Sequence, residues 1–293
     1  MIGAETIDEA ALGLGMKPRY SGIGGVFASR GGAGNLCTGS LVSATMVLTA
    51  AHCFDRSADG TSDYAPSEVK FLYGNDLGLD LFRPTAPGIV ASAIYLNPLY
   101  VADGTSVYQR YDLALLELSS AVPDAYQPFA VYASPGGNQA DIVGYGKSGP
   151  GGSVQDNRKR AGVNAAYILD RSPNYTLVDF DQLGADDPGT RFRDGEVAFS
   201  KVEASPCGGD SGGPLLTMSD FMLSGVVTGS LRPDDEACRY GDVVAYVHTG
   251  QEDNAWFLRS HGVEVIDEPG TMALFGAALL ALFAARRRGV PSA

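Results

Sequence analysis

The chain has 293 residues, of which 45% are hydrophobic and 19% charged, an ordinary balance for a globular protein with a sizeable core. Its formal net charge of -13 at pH 7 argues against a nucleic-acid partner, which would need a basic face. The 38 glycines and 16 prolines interrupt short runs of Val, Ile, Leu and Tyr. This pattern favours strands and turns over long helices, so we expect an all-β body.

The predicted strands fall into two groups along the chain. The first group comprises residues 41–42, 46–48, 69–73, 89–91 and 113–118, and the second comprises residues 140–146, 195–199, 214–216, 223–228 and 243–247. Residues 147–164 are rich in Gly, Ser, Pro and charge, which predicts an exposed loop.

The chain contains four cysteines: Cys37, Cys53, Cys207 and Cys238. They permit three pairings, and none of their spacings gives the C-x-x-C ligand pair of a zinc site. We therefore expect disulfides and an oxidising compartment, with two buried pairs of free thiols as the alternative. Asp76 and Asp80 suggest a calcium loop, but without further aligned ligands we interpret them as solvated. We expect neither a metal nor a cofactor.

The segment GDSGGP (residues 209–214) places Ser211 among glycines that let a substrate carbonyl approach the backbone closely. A serine hydroxyl is a poor nucleophile at neutral pH and needs a base within hydrogen-bond reach. His52, in LTAAHC (48–53), and Asp112, in YDLALL (111–116), are the candidate base and its acidic partner.

These three segments, in the order His, Asp, Ser, resemble the signature blocks of the trypsin/chymotrypsin family of serine proteases. The resemblance runs from about residue 24 to about residue 258. It implies a protease domain over residues 1–262, made of two antiparallel six-stranded β-barrels (about 20–124 and about 125–262). His52 and Asp112 then belong to the first barrel and Ser211 to the second. Residues 254–259 resemble the short helix that closes this fold.

The resemblance also implies a role for each residue. Ser211 attacks the carbonyl carbon, His52 removes its proton and later delivers it to the leaving amine, and Asp112 holds the imidazole tautomer. The N–H groups of Gly209 and Ser211 form the oxyanion hole. The implied disulfides join Cys37 to Cys53 and Cys207 to Cys238.

In this family the mature amino terminus, an Ile or Val followed closely by Gly, folds inward and pairs with the acid before the nucleophile, which is Asp210 here. Ile2-Gly3 and Ile23-Gly24 are the candidates. They lie 35 and 14 positions before Cys37. The family needs a strand and a long lead-in before that cysteine, so Ile2 fits better.

The family places the floor of its main specificity pocket six residues before the nucleophile, at Ser205. A neutral floor resembles the chymotrypsin-like preference for large apolar or aromatic side chains. The implied walls are Thr228, Gly229 and Ser230, where the family usually has Ser-Trp-Gly. Asp242 offers an alternative, because a carboxylate reaching into the pocket would favour a basic side chain.

Residues 271–285 form an almost uninterrupted apolar run, and three arginines follow at 286–288. Fifteen residues of helix would span roughly 22 Å, less than a hydrocarbon core of about 30 Å. With Glu268-Pro269 in front, residues 263–293 resemble a PEP-CTERM sorting signal, although Asp267 replaces its first proline. We expect a C-terminal hydrophobic helix that anchors the chain in a membrane at least transiently and an exosortase-type processing enzyme, with an ordinary tail anchor as the alternative.

Residues 1–10 show neither a basic start nor an apolar core, so no export signal is visible, although the cysteines and the tail imply export.

The function that fits best is a secreted or surface-associated serine endopeptidase acting on protein or peptide substrates. A catalytically silent surface binding module on the same fold is the alternative. An esterase would share Gly-x-Ser-x-Gly but not this residue order. His248 and His261 lack a motif and are predicted to lie on the surface.

Overall fold

The computed structural model describes residues 2–3, 8–101, 111–133, 139–165, 167–168, 175–180, 204–230, 238–239 and 242–267. The elements up to the middle of the chain are β1 (Ile2–Gly3), α1 (Asp8–Gly15), β2 (Ile23–Arg30), β3 (Ala33–Leu41), β4 (Met46–Thr49), β5 (Val69–Leu72), β6 (Gly88–Leu96), β7 (Ala114–Leu118) and β8 (Val131–Tyr132). They are followed by β9 (Gln139–Gly144), β10 (Arg160–Ala165), β11 (Tyr167–Ile168), β12 (Tyr175–Asp179), β13 (Ala204–Ser205), β14 (Pro214–Thr217), β15 (Leu223–Ser230), β16 (Val243–His248), α2 (Glu252–Ser260) and β17 (Val265–Ile266).

The first half of the chain forms a closed barrel of six antiparallel strands in the order β2-β3-β4-β7-β6-β5, as predicted. The sequence did not reveal β2 and most of β3, because glycines replace the apolar residues that mark a strand. These glycines allow close packing: a Cβ on Gly24 would lie 2.5 Å from the Leu72 carbonyl oxygen, and a Cβ on Gly25 would lie 2.4 Å from a Leu77 methyl. The barrel interior is filled by buried aliphatic and aromatic side chains such as Val47, Leu115 and Phe71.

The second half forms an open sheet in the order β10-β9-β14-β15-β16-β12-β11. In addition, β8 pairs with β15, and β17 pairs with β8. The fold is therefore all-β and chymotrypsin-like, with one closed barrel and a half-barrel sheet. A second closed six-stranded barrel is not seen within the described ranges, and the predicted strand at 195–199 lies outside them. The strands predicted at 140–146, 214–216, 223–228 and 243–247 correspond to β9, β14, β15 and β16.

The prediction of an exposed loop over residues 147–164 was wrong at its end, because β10 begins at Arg160 and both Lys159 and Arg160 are buried. The two side chains are held differently, since Arg160 pairs with a carboxylate and Lys159 only with a carbonyl. Arg160 makes two hydrogen bonds of 2.7 Å to the carboxylate of Asp156, and Lys159 Nζ donates to the Tyr20 carbonyl at 2.9 Å. Burial lowers the pKa of Lys159 to about 7.

His248 is buried on β16, contrary to the predicted surface position, and its Nε2 pairs with the hydroxyl of Thr176 on β12. A histidine at the end of a strand carries no signal for burial in its own sequence neighbourhood. His261 is half-exposed and stacks against the rings of Tyr95 and Phe257.

The closing helix is confirmed as α2, and its position holds the two halves together. The Gln251 side chain caps its start by accepting from Asn254 N at 3.0 Å, while Phe257 and Leu258 are fully buried. Asn254 Oδ1 also accepts a buried 2.9 Å hydrogen bond from Asn97 Nδ2, next to the first barrel.

The sheet continues beyond α2, because β17 pairs in parallel with β8 and Arg259 forms a 2.8 Å ion pair with Asp267. Within the described residues, neither helix has the length and apolar character needed to cross a membrane. The predicted hydrophobic helix at 271–285 lies outside the described residues.

Candidate active site

His52 and Asp112 are brought together by the pairing of two neighbouring strands of the first barrel. Thr49 at the end of β4 lies opposite Ala114 at the start of β7. His52 follows Thr49 by three residues, on a short 3-10 turn, and Asp112 precedes Ala114 by two. The register of this one strand pair therefore places the imidazole beside the carboxylate.

Both oxygens of Asp112 hold His52. Oδ2 lies 2.7 Å from His52 Nδ1, and Oδ1 accepts from the His52 backbone N–H at 2.8 Å. Thr228 Oγ1, on β15 of the other half, donates to Oδ2 at 2.6 Å. Asp112 is completely buried, so its charge loses the stabilisation that water would give. The three hydrogen bonds that it accepts offset this loss and fix the orientation of the carboxylate.

The His52 side chain is 23% exposed, and its pKa is raised above the ordinary value. Burial opposes the charged imidazolium, but the charge of Asp112 and its hydrogen bond favour that form more strongly. With Nδ1 directed at Asp112, Nε2 is the ring nitrogen available to accept a proton.

Ser211 lies in the tight turn between β13 and β14, pressed against the first barrel. Its carbonyl accepts from Thr38 N at 2.8 Å. The next residue, Gly212, has φ +79°, and a Cβ there would lie 2.1 Å from Thr49 Oγ1 and 2.9 Å from Ala50 N. The Ser211–Gly212 backbone therefore contacts the chain only two to three residues before His52.

Gly209 adopts φ +97°, which side-chain-bearing residues rarely tolerate, and its carbonyl accepts from Thr38 Oγ1 at 3.0 Å. Within the described part of the chain, neither the Gly209 N–H nor the Ser211 N–H has a hydrogen-bond acceptor. An oxyanion hole requires backbone N–H donors of this kind beside a nucleophile.

Asp210 is buried beneath the turn and accepts from Gly146 N at 2.8 Å and from Cys207 N at 2.9 Å. A Cβ on Gly144 would lie 1.9 Å from its carboxylate, which explains the need for glycine there. Five to six residues upstream, β13 pairs with β1, with Ile2 opposite Ser205. The alternative terminus Ile23 is fully buried in β2 of the barrel.

Both predicted disulfides are present. Cys37–Cys53 ties β3 to the turn that carries His52, and Cys207–Cys238 ties the turn before Ser211 to the segment before β16. The ligand atoms of Cys37, His52 and Cys53 lie within 4.8 Å of one another. The two sulfurs are bonded to each other, so this cluster offers no thiolates to a metal.

The predicted pocket residues have different environments. Ser205 is fully buried, and its hydroxyl has no partner among the described residues. Thr228 uses its hydroxyl on Asp112, and Ser230 directs its hydroxyl to Asp242. Asp242 also accepts from Cys238 N at 2.9 Å, so its carboxylate is engaged by the wall itself. Gly229 is half-exposed on β15.

Sequence reasoning missed Thr38 and Thr49. Thr38 Oγ1 accepts from Tyr145 N and donates to Gly209 O, while Thr49 Oγ1 donates to the Thr38 carbonyl at 2.8 Å. Both residues support the Ser211 turn from the barrel side. The hydrogen-bond partners of the Thr38 hydroxyl, Gly209 and Tyr145, lie more than a hundred residues away in the chain. No local sequence pattern could therefore have indicated these contacts.

A closed β-barrel beside a half-barrel sheet, with the His52–Asp112 pair on the barrel and the Ser211 turn of the sheet in contact with that barrel, is a chymotrypsin-like architecture. The family model described as Trypsin matches residues 17–251, and the chain belongs to the trypsin family of serine proteases. Residues 268–288 match the PEP-CTERM protein-sorting motif, despite Asp267 in place of the first proline.

Among curated proteins, serine protease SP24D of Anopheles gambiae is 27% identical over 257 residues, covering 80% of this chain and 83% of that protein. Serine protease Hayan of Drosophila melanogaster is 28% identical over 240 residues, covering 76% of this chain but only 34% of the Hayan sequence. Among solved structures, the scabies mite inactivated protease paralogue S-I1 superposes with a TM-score of 0.57 at 19% identity, covering 83% of this chain and 95% of that one. This last similarity concerns the fold alone.

Proposed function

We propose that this protein is an exported serine endopeptidase that cleaves peptide bonds through Ser211, His52 and Asp112 and an acyl-enzyme intermediate. The observation that carries the proposal is the buried carboxylate of Asp112, which holds both the ring and the backbone of His52. One buried carboxylate holds both Nδ1 and the backbone N–H of a half-exposed histidine, which follows by two to three residues the segment that the Ser211 turn contacts. It is the arrangement that general-base activation of a hydroxyl requires.

In this mechanism Ser211 Oγ attacks the scissile carbonyl carbon while His52 Nε2 takes the hydroxyl proton. The carbonyl oxygen becomes an oxyanion and accepts from the N–H groups of Gly209 and Ser211, each worth about 2.7 to 4 kcal/mol in such sites. His52 then protonates the leaving amine, and the C–N bond breaks. A water molecule then attacks the carbonyl carbon of the acyl-enzyme while His52 Nε2 takes one of its protons. His52 passes this proton to Ser211 Oγ as the ester bond breaks, which releases the carboxylic acid product and restores the Ser211 hydroxyl and neutral His52.

Labelling with a fluorophosphonate probe tests the proposal, because such probes phosphonylate only an activated serine. We expect labelling of the wild-type chain and none of Ser211→Ala. Peptide hydrolysis that survives Ser211→Ala would contradict the assignment, as would a wild-type protein that neither labels nor cleaves any member of a diverse peptide library.

The alternative is a catalytically silent binding module, since the solved structure of an inactivated protease paralogue has the same fold. The intact Ser211, His52 and Asp112 favour the enzyme. An esterase is disfavoured by the order of these residues along the chain. Comparing hydrolysis of matched peptide and ester substrates separates these three functions.

We further propose that Asp210 receives the α-amino group of a mature chain beginning at Ile2, supported by the pairing of β1 with β13. Amino-terminal sequencing of active protein, combined with Asp210→Asn, tests this. A fully active protein whose terminus lies elsewhere would overturn it.

For the main pocket we propose a neutral floor at Ser205 and walls at Thr228, Gly229 and Ser230, which favour apolar side chains. Asp242 is engaged by Ser230 and Cys238, so a preference for basic residues is not expected.

The sorting motif at 268–288 supports export and exosortase processing, with at least transient attachment of the tail to a membrane. The described fold extends past residue 262, because Val263 and Val265 are buried in the core and β17 pairs with β8. A chain ending at Asp267 should keep its thermal stability and activity. In a host with an exosortase, intact-mass measurement should show loss of residues 286–288, whereas an unprocessed chain there would favour a permanent anchor.

A further inference from the structure

The outer face of α2 carries Trp256, the single tryptophan of the chain. Its side chain is 62% exposed, whereas its neighbours Ala255 and Phe257 are buried against the rest of the fold. A lone exposed apolar residue is common on protein surfaces. Trp256 is distinguished by its position, because it lies where the chain leaves the domain and enters the tail.

The last described residue, Asp267, is tied to the same face of α2. Arg259 donates to Asp267 Oδ1 at 2.8 Å and to the Val265 carbonyl at 3.0 Å. Trp256 precedes Arg259 by three positions, and helical residues with this spacing lie side by side, with Cβ atoms about 5 to 6 Å apart. A second large apolar side chain, Ile266, is 36% exposed directly before Asp267. The tail therefore starts next to Trp256.

Chain length limits how far this end of the domain can lie from the apolar run of the tail. Only residues 268–270 separate Asp267 from the run at 271–285. Four Cα–Cα steps reach about 14 Å at full extension. A domain of about 260 residues has a radius of gyration of about 18 Å, which is more than this reach. While the run is in a membrane, the domain therefore cannot turn its opposite side to the bilayer.

The environment at that distance suits an indole and not the charges of the domain. An apolar run shorter than the hydrocarbon core thins the bilayer and draws its flanking residues towards the headgroups. Trp is favoured at this interface, because its ring is apolar and its N–H finds a partner there. Glu252 and Glu264 are exposed, and the net charge is -13, so charge does not attract the domain to anionic lipid. The short tether offsets the repulsion by holding Trp256 at an effective concentration of about millimolar.

We propose that the end of the domain formed by α2 and β17 docks on the surface of a lipid bilayer while the tail is embedded, with the Trp256 ring in the interface. The protease domain is thereby held in one orientation until the tail is removed. This inference rests on the proposed membrane attachment of the tail.

The single tryptophan allows a direct test by fluorescence. The full-length chain is reconstituted into phosphatidylcholine vesicles, with or without bromine on the acyl chains close to the headgroup, because bromine quenches an indole that it contacts. We expect brominated lipid to remove most of the Trp256 emission, and the emission maximum in unbrominated vesicles to be shifted to the blue. Raising the salt concentration should not reverse the quenching, since the contact is apolar.

The matched control is the full-length double variant Trp256→Phe, Leu79→Trp, which moves the single tryptophan to another exposed position. Leu79 is 80% exposed on the loop between β5 and β6 of the first barrel, so neither substitution disturbs the core. Its tryptophan should keep a water-like emission maximum and should not be quenched by brominated lipid.

Flotation of the vesicles measures attachment of the tail separately from docking. A chain that floats with the vesicles, but whose Trp256 is quenched no more than the tryptophan of the control, would overturn the docking proposal alone. Strong quenching at both positions would overturn it as well, because the domain would then have no fixed face towards the bilayer. A chain that does not float would remove the proposed attachment and the docking with it.

Discussion

The two halves of the molecule hold their site residues by different means. In the closed barrel, His52 and Asp112 extend from β4 and β7, which are directly paired, so the register of one strand pair fixes their relation. In the open sheet, Ser211 lies in a turn outside any strand, held by the Cys207–Cys238 disulfide and by contacts with Thr38 and Thr49 of the barrel. The proposed base and its acid are therefore placed by one half, with one further hydrogen bond to Asp112 from Thr228 of the other half, whereas the position of the proposed nucleophile depends on how the halves dock.

This difference separates two ways in which the site can fail. Damage within the barrel should change the protonation and orientation of His52 without moving Ser211. Damage at the docking surface should displace Ser211 while the His52–Asp112 pair stays intact. The predictions below test this separation.

The largest effect is expected from the site residues themselves. Ser211→Ala or His52→Ala should each lower kcat by about 10⁶, and the double variant should be no worse, because the two residues act as one unit. Steady-state hydrolysis of a peptide substrate measures this. Ser219→Ala, at an exposed turn after β14, is the control and should keep wild-type activity. Turnover of Ser211→Ala within tenfold of wild type would contradict the prediction.

Asp112→Asn should lower kcat by about 10⁴ while the fold is retained, because the amide N–H would hold His52 in the wrong tautomer. The variant should also change the pH profile. Activity requires neutral His52, and Asp112 raises the pKa of that histidine, so the acid limb of kcat/KM should lie above about 6.5 in the wild type and move down in the variant. An unchanged acid limb would show that Asp112 does not control His52.

The same pair predicts a pH-dependent contribution to stability. The pKa of His52 is raised in the folded state, so its contribution is fully present below the unfolded value of about 6.5 and is lost as pH rises through the folded pKa. Thermal unfolding of Ser211→Ala, with and without Asp112→Asn, measures it. The difference in Tm between the two proteins should shrink as pH rises.

Gly212→Ala tests the docking surface. Gly212 and Gly262 share φ +79°, but a Cβ at Gly212 would meet Thr49 Oγ1 at 2.1 Å, whereas nothing lies within 4 Å at Gly262. Gly212→Ala should therefore lower the free energy of unfolding by about 1 to 3 kcal/mol more than Gly262→Ala. It should also lower kcat/KM by at least about tenfold through displacement of Ser211. Denaturant unfolding and steady-state kinetics of both variants measure these losses. Equal losses of stability and activity at the two sites would refute the docking argument.

The smallest expected effect is the difference in stability between the two variants that each lack one disulfide. Replacing either pair by serines should cost about 2 to 4 kcal/mol of stability, and Cys207–Cys238 should cost about 0.6 kcal/mol more, because it closes a span of 31 residues rather than 16. Loss of Cys207–Cys238 should reduce kcat/KM further than the stability loss alone implies, since it loosens the Ser211 turn. Equal activity of both variants under conditions where each is folded would argue that the turn is held by the glycine contacts instead.

Much of the site was predictable from the sequence, because chemistry restricts which residues can occupy it. Ser211, His52, Asp112 and the four cysteines stand in segments whose composition is nearly diagnostic, and both disulfides follow the pairing that the resemblance implies. The strands around β4, β5, β7 and β14–β16 were visible as short apolar runs. Where glycine replaced the apolar residue, as in β2, the signal disappeared although the strand remained.

The tertiary structure alone decided how the two halves meet. Thr38 touches Gly209 across 171 positions of sequence, Thr228 reaches Asp112 across 116, and Tyr145 donates its hydroxyl to the Ile23 carbonyl across 122. The burial of Lys159 and His248 belongs to the same class. Hydrophobic pattern and local motif report what a residue does within its own strand or turn. A hydrogen bond between distant segments has no local signature, because its energy depends on a partner that only the folded chain brings within reach.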